Sequence, residues 1–87
     1  MKKTMIINND SWDIYFNRID TTLVLITACL KRPNKKWYQK KYLYENWTYT
    51  DNLENLSKLI ENLTERYYKR KRLEKEFDNF FNKPIDI

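Results

Sequence analysis

Glycine and histidine are absent from these 87 residues, cysteine occurs once and proline twice. Each absence removes a kind of chemistry or a structural device. Without histidine the chain lacks the side chain that most often moves protons near neutral pH, and a nucleophilic Cys29 would have no imidazole partner. One cysteine closes no disulfide within a copy, and a zinc site of four Cys or His ligands cannot be assembled. Cys29 is therefore expected to be a small buried apolar residue. Without glycine, asparagine has to serve wherever the backbone needs positive φ. Long hydrophobic runs are missing as well. Leu23 to Leu30 is too short to cross a bilayer, and Met5-Ile6-Ile7, set between Lys2-Lys3 and Asn8-Asn9-Asp10, falls far short of a secretory apolar segment. The expectation is a cytoplasmic protein with no membrane partner and neither cofactor nor metal.

Acids that could do chemistry remain, among them Asp10, Asp13, Asp20, Asp51 and Glu54, and two of them could hold Mg²⁺. Their spacing matches no nuclease or phosphatase pattern, whereas turn and capping roles account for them. The sequence is thus read as that of a binding protein and not an enzyme.

What is present argues for a folded chain. Apolar residues make up 41% and aromatic residues 16%, enough large side chains to offset ordering entropy, and the length suits a single domain over residues 1–87. Phe, Tyr, Met, Ile, Asn and Lys supply 43 residues while Gly, Ala, Arg and Pro supply 8. That bias follows AT-rich codons and points to an AT-rich genome, such as that of a phage or other mobile element in a bacterial host.

The first half reads as strands. In residues 11–19, Trp12, Ile14 and Phe16 alternate with Asp13, Tyr15 and Asn17, the period of a strand with one preferred face. Residues 22–30 are rich in Leu, Val, Ile and Thr and suit a central strand. Asp20-Thr21 and Pro33-Asn34 are turn candidates. A third strand over residues 35–44 would place Tyr38, Lys40, Tyr42 and Tyr44 on one face. Short connections then predict a three-stranded antiparallel meander, followed by a C-terminal helix, an α+β fold. This order resembles that of arm-type DNA-binding domains of phage integrases in architecture alone, and it assigns no residue a role.

The helix is expected over residues 52–82, with Asp51 as its cap and Glu54 completing a capping box. Leu53, Leu56, Ile60, Leu63 and Tyr67 form its expected core stripe. Such a helix would be roughly 46 Å long, whereas a compact chain of this length has a radius of gyration of about 12 Å. It must therefore bend, break into two, or project beyond the sheet. Leu56, Leu59, Leu63, Leu73, Phe77 and Phe80 share a heptad frame whose two central positions are Arg66 and Arg70, so two apolar ends flank a basic waist. The distal group, Leu73, Phe77, Phe80 and Phe81, either folds back on the sheet's second face or meets another chain, which makes a homodimer through the C-terminal helix an expectation.

Charge is uneven within a net of +5. Residues 31–44 hold six basic side chains and no acid, residues 66–72 hold five and no acid, and the rest of the chain is acidic. In the first block Lys35, Lys36, Lys40 and Lys41 surround Trp37, Tyr38 and Tyr42. That combination suits phosphate neutralisation with base stacking, or else a strand edge guarded by lysines. In the second, Arg66, Lys69, Arg70 and Arg72 form either a contact for phosphates or an acidic protein surface, or a solvated turn with i,i+4 pairs such as Glu65–Lys69 and Arg70–Glu74. Two functions follow. The first is an inhibitor or adaptor that occupies a host protein or nucleoprotein complex, an anti-defence role such as an anti-CRISPR being one form. The second is a regulator that binds DNA or RNA directly.

Overall fold

The computed structural model describes residues 1–83. Four strands, β1 (Lys2–Ile7), β2 (Asp10–Asp20), β3 (Leu23–Lys31) and β4 (Tyr42–Thr50), precede one helix, α1 (Leu56–Asn82). All strand pairs are antiparallel and the sheet order is β1-β2-β3-β4. The α+β arrangement of meander and C-terminal helix is present, with one strand more than the sequence pattern suggests. The additional strand is β1. Its partner turn is Asn8-Asn9, both with positive φ (50° and 67°), the two-residue geometry that matches the twist of a hairpin. Asn34 adopts φ 51° after Pro33. Among the described residues, asparagine thus supplies every left-handed position that glycine would ordinarily fill.

The face of the sheet that α1 covers is set by strand alternation. Trp12, Ile14, Ile26, Ala28 and Leu30 are buried there with Ile60 and Leu63 of the helix, and Met5, Ile7, Phe16, Val24, Tyr44 and Leu59 pack around them. Trp12 lies opposite Leu30 and Leu30 opposite Tyr44, so one row of side chains crosses three strands beneath the helix. Around the Trp12 indole, Tyr44, Tyr67 and Tyr68 stand edge-on with ring centroids 6.2, 6.0 and 6.2 Å away, an arrangement aromatic quadrupoles favour.

Two expectations are corrected, and of the three outcomes allowed for the helix, projection beyond the sheet is the one found. The third strand runs over Tyr42–Thr50, not residues 35–44; residues 33–41 are a loop that Pro33 and the Lys36–Gln39 turn keep out of the sheet. Helix α1 begins at Leu56 with Asn55 at its N-cap and no side-chain capping bond. Thr50 and Asn52 instead bond locally, Asn52 Oδ1 accepting from Glu54 N at 2.9 Å and Thr50 Oγ1 from Asn52 N at 3.0 Å. These turns compete with helix formation and leave Leu53 exposed, outside the core stripe. Finally, the basic waist is no bend. The helix is continuous for 27 residues, Tyr67 and Tyr68 of the waist pack on the core, and every residue from Lys69 to Lys83 is exposed. Its distal half projects past the sheet, giving extents of 61 × 33 × 20 Å and a radius of gyration of 16.8 Å.

Candidate functional site

Contacts between helix and strands fix the orientation of the surface. Leu59, Asn62, Leu63 and Arg66 lie beside Asn46, Trp47 and Thr48, and Arg66, Lys69, Arg70 and Leu73 lie beside Tyr44. The helix therefore runs antiparallel to β4 and leaves the sheet at the end where β1–β2 and β3–β4 connect. Both basic segments sit at that end.

Of the first segment, Tyr44 alone lines the groove formed with the second. Arg66, Lys69 and Arg70 line a groove of about 430 Å³ with Tyr44 and Leu73 as its apolar members. Arg72 is exposed but is not among the residues that line it. Among the described residues the ion pairs are Arg70–Glu74 at 3.4 Å and Lys71–Glu74 at 3.5 Å, so the expected Arg70–Glu74 pair forms, whereas Lys69 makes none with Glu65. Arg66 and Lys69 carry uncompensated charge into the groove.

The β3–β4 loop is a separate platform. Arg32 Nε donates to the Lys40 carbonyl at 3.0 Å and Lys36 N to Gln39 Oε1 at 3.0 Å, holding the loop in a hairpin extension. Lys35, Lys36, Lys40 and Lys41 are exposed on it. Trp37, 91% exposed, stands edge-on to Tyr38 with centroids 5.7 Å apart.

Tyr42 leaves this group. A register shift between Leu30 and Lys31 pairs Lys31 with Tyr42 and Leu30 with Tyr44, and such a bulge re-aims the side chains on either side of it. Tyr42 and Tyr44 thus point to opposite faces, although residue spacing alone puts them together. On the face away from the helix, the Tyr42 hydroxyl crosses β3 to donate to Asp13 Oδ2 at 2.8 Å and accepts a hydrogen bond from the Tyr15 hydroxyl. Thr4 Oγ1 donates to Asp13 Oδ1 at 2.8 Å. Asp13 is completely buried. Burial opposes its ionisation, but the Thr4 and Tyr42 hydrogen bonds and the Lys2 and Lys31 charges outweigh it, holding the carboxyl below its ordinary 3.8. Burial, with the Tyr15 and Asp13 bonds, drives the Tyr42 phenol far above its usual range. These hydrogen bonds tie β1, β2 and β4 together on the face away from the helix. Cys29 lies beside them, its thiol pushed up to about 11 by burial and by Glu45 and Asp13, which keeps it unreactive as a nucleophile. Among the described residues no cluster of three or more metal-ligating side chains forms, and no helix is long and apolar enough to cross a membrane.

Residue patterning missed one part of this surface. Trp47 and Tyr49 of β4 are 58% and 50% exposed and meet edge-on at 5.3 Å. The run Tyr44 to Thr50, aromatic or Thr at every position except Glu45 and Asn46, carries the strand signal, yet placing the strand earlier hides it.

The tip of α1 is apolar on one side. Leu73, Phe77, Phe80 and Phe81 are exposed and, with Glu76, bound a shallow cleft of about 290 Å³. They fold back on neither face of the sheet.

No protein-family model, curated protein or solved structure matches the chain.

Proposed function

We propose that the protein is a non-catalytic binding module that acts by occupying an acidic region of a protein or nucleoprotein partner, with the groove between β4 and α1 as its contact surface. The observation that supports this reading is the groove itself: Arg66 and Lys69, free of ion pairs with described acids, flank the ring of Tyr44 and the side chain of Leu73. Cationic groups around an aromatic and an aliphatic anchor have the composition of an interface hot spot. The histidine-free sequence and the suppressed thiol of Cys29 favour occupancy over chemistry. Such a protein is an inhibitor or adaptor, and its AT-leaning composition suits a phage-encoded anti-defence factor.

Affinity capture from the native host with and without nuclease tests this. A protein partner that survives nuclease and is lost with the Arg66→Glu/Lys69→Glu variant is the expected result. Capture unaffected by that variant places the contact elsewhere.

A second reading, direct binding of single-stranded nucleic acid, is favoured by the loop. Trp37 and Tyr38 expose two rings among four lysines, the combination that stacks unpaired bases while neutralising phosphates. It predicts a gel shift with naked DNA or RNA that weakens steeply with salt.

The tip of α1 is proposed to meet a second copy, in antiparallel orientation. Residues 66–72 carry five positive charges and no negative one, whereas residues 73–82 carry three acids and one base. Antiparallel pairing sets the basic turn of one copy against the acidic tip of the other; parallel pairing would align the two basic turns.

A further inference from the structure

We infer that the outer edge of β4 receives an extended peptide as a fifth strand, and that this peptide is acidic on the side that faces α1. The inference deepens the groove reading above and rests on it.

Strand β4 is a terminal strand of the sheet, so one side of its backbone has no partner strand among the described residues. Exposed edges of this kind invite strand addition and are normally guarded by lysine, proline or a bulge. At the opposite edge, β1 carries Lys2 and Lys3. Residues Tyr42–Thr50 contain no lysine, arginine or proline, and from Tyr44 to Thr50 they pair with β3 in unbroken register. The only irregularity lies at the start of the strand, where it turns Tyr42 inward. The result is a regular seven-residue edge, rich in aromatic and β-branched residues, with no partner strand among the described residues. Asn46 Oδ1 accepts from the Trp47 amide at 3.0 Å and Thr48 Oγ1 donates to the Tyr49 carbonyl at 3.4 Å, local bonds that an incoming strand exchanges for its own.

The two sides of that edge differ. On the helix side, Arg66, Lys69 and Arg70 stand along Tyr44. On the other side are Trp47 and Tyr49, exposed and in mutual contact, with Glu45 next to them. Side chains of an added strand alternate between these sides. The charge that complements the helix side is negative, whereas beside Glu45 and Trp47 an acid would be repelled and an apolar side chain would be buried. The pattern read by the edge is therefore acidic on the helix side at the Tyr44 end, where Arg66, Lys69 and Arg70 stand, and apolar on the side of Trp47 and Tyr49, in the mode by which main-chain bonds supply affinity and alternate side chains supply specificity.

A second copy of β4 fits this edge poorly. Two-fold antiparallel pairing of residues 44–50 would bring both α1 helices to the same face and set Tyr44 of one copy opposite Thr50 of the other, which places no acidic side chain of the strand against the groove. A nucleic-acid strand would meet the cations but would leave the open amide and carbonyl groups of β4 without a matching ladder.

The test uses the full-length protein and a fluorescent eight-residue peptide of alternating Glu and Val, read by anisotropy at low salt. Binding is expected. Arg66→Glu/Lys69→Glu should weaken it at least tenfold and Trp47→Ala severalfold, with unchanged circular dichroism in each case. Methylating alternate backbone nitrogens of the peptide, in each of the two phases, should abolish binding in the phase that blocks the ladder. Amide exchange at β4 should slow on binding. A peptide that binds equally well in both methylated forms would overturn strand addition, as would a Lys-Val peptide of equal affinity, tighter binding of an oligonucleotide of the same charge, or no binding of the Glu-Val peptide. If the peptide fails while Arg66→Glu/Lys69→Glu still abolishes capture of the native partner, strand addition falls and the groove stands. If that variant changes neither, both fall.

Discussion

The indole N–H of Trp12 donates to the hydroxyl of Tyr68 at 3.0 Å, joining β2 to the helix across 56 positions of sequence. The same hydroxyl lies 2.8 Å from both the Ile7 carbonyl and Asp10 Oδ2, and its single proton serves one of these acceptors at a time. One phenol thereby ties the β1–β2 hairpin, the buried indole and α1 together. Tyr68→Phe keeps the ring and strips the polar partner, leaving a buried N–H unsatisfied. The expected loss is about 1–3 kcal/mol of unfolding free energy, measured by urea denaturation, with near-native far-ultraviolet dichroism.

Asp13 makes stability depend on pH. Its folded-state pKa is depressed below 3.8, so its contribution is fully present above the unfolded value and is lost as pH falls through the folded one. Unfolding free energies measured from pH 6 downwards should fall most steeply below 3.8. In Asp13→Asn that part of the acid-dependent loss should be smaller, on a lower baseline; an identical slope would assign the acid sensitivity to other carboxylates.

Cys29 should be nearly inert in the native protein. With its thiol raised to about 11, roughly one molecule in a thousand carries thiolate at pH 8, and the side chain is also buried. Reaction with a disulfide reagent should proceed only as fast as unfolding permits and should accelerate sharply in denaturant.

The helix tip gives a prediction independent of the groove. Phe77→Asp/Phe80→Asp changes residues that are 60% and 67% exposed, so the fold should persist. Sedimentation equilibrium should show a dimer for the native chain and a monomer for the variant. If the native chain stays monomeric at high concentration, the tip does not pair with itself.

How far these features can be read from residues depends on whether local pattern and tertiary context agree. Strands β2 and β3 were legible within a residue or two, because Trp12, Ile14 and Phe16 alternate with polar neighbours and Leu23 to Leu30 is apolar except for Thr27. Strand β1 was not, since Lys2 to Ile7 has no strong alternation and gains its identity only by pairing with Asp10 to Tyr15. The strand after Pro33 was displaced because aromatic and lysine residues of the loop mimic an amphipathic strand, and the bulge that separates Tyr42 from Tyr44 leaves no mark in composition. Continuity of α1 was among the outcomes the pattern allowed. In the site, Arg66, Lys69 and Arg70 were legible as a charged turn, but their neighbour Tyr44 and the open edge of β4 emerge only from the sheet order, which no single segment encodes.

The unbroken course of α1 also sets a distance. From Arg66 to the middle of the apolar tip is about ten residues, or roughly 15 Å of axial rise, along a rod without proline or glycine to flex it. Two copies paired antiparallel, with the basic turn of each against the acidic tip of the other, would hold their Arg66 positions roughly 20 Å apart on a common axis. A target bearing two matching segments at that separation would be gripped bivalently, its second contact made at high effective concentration, and a target with one segment would not.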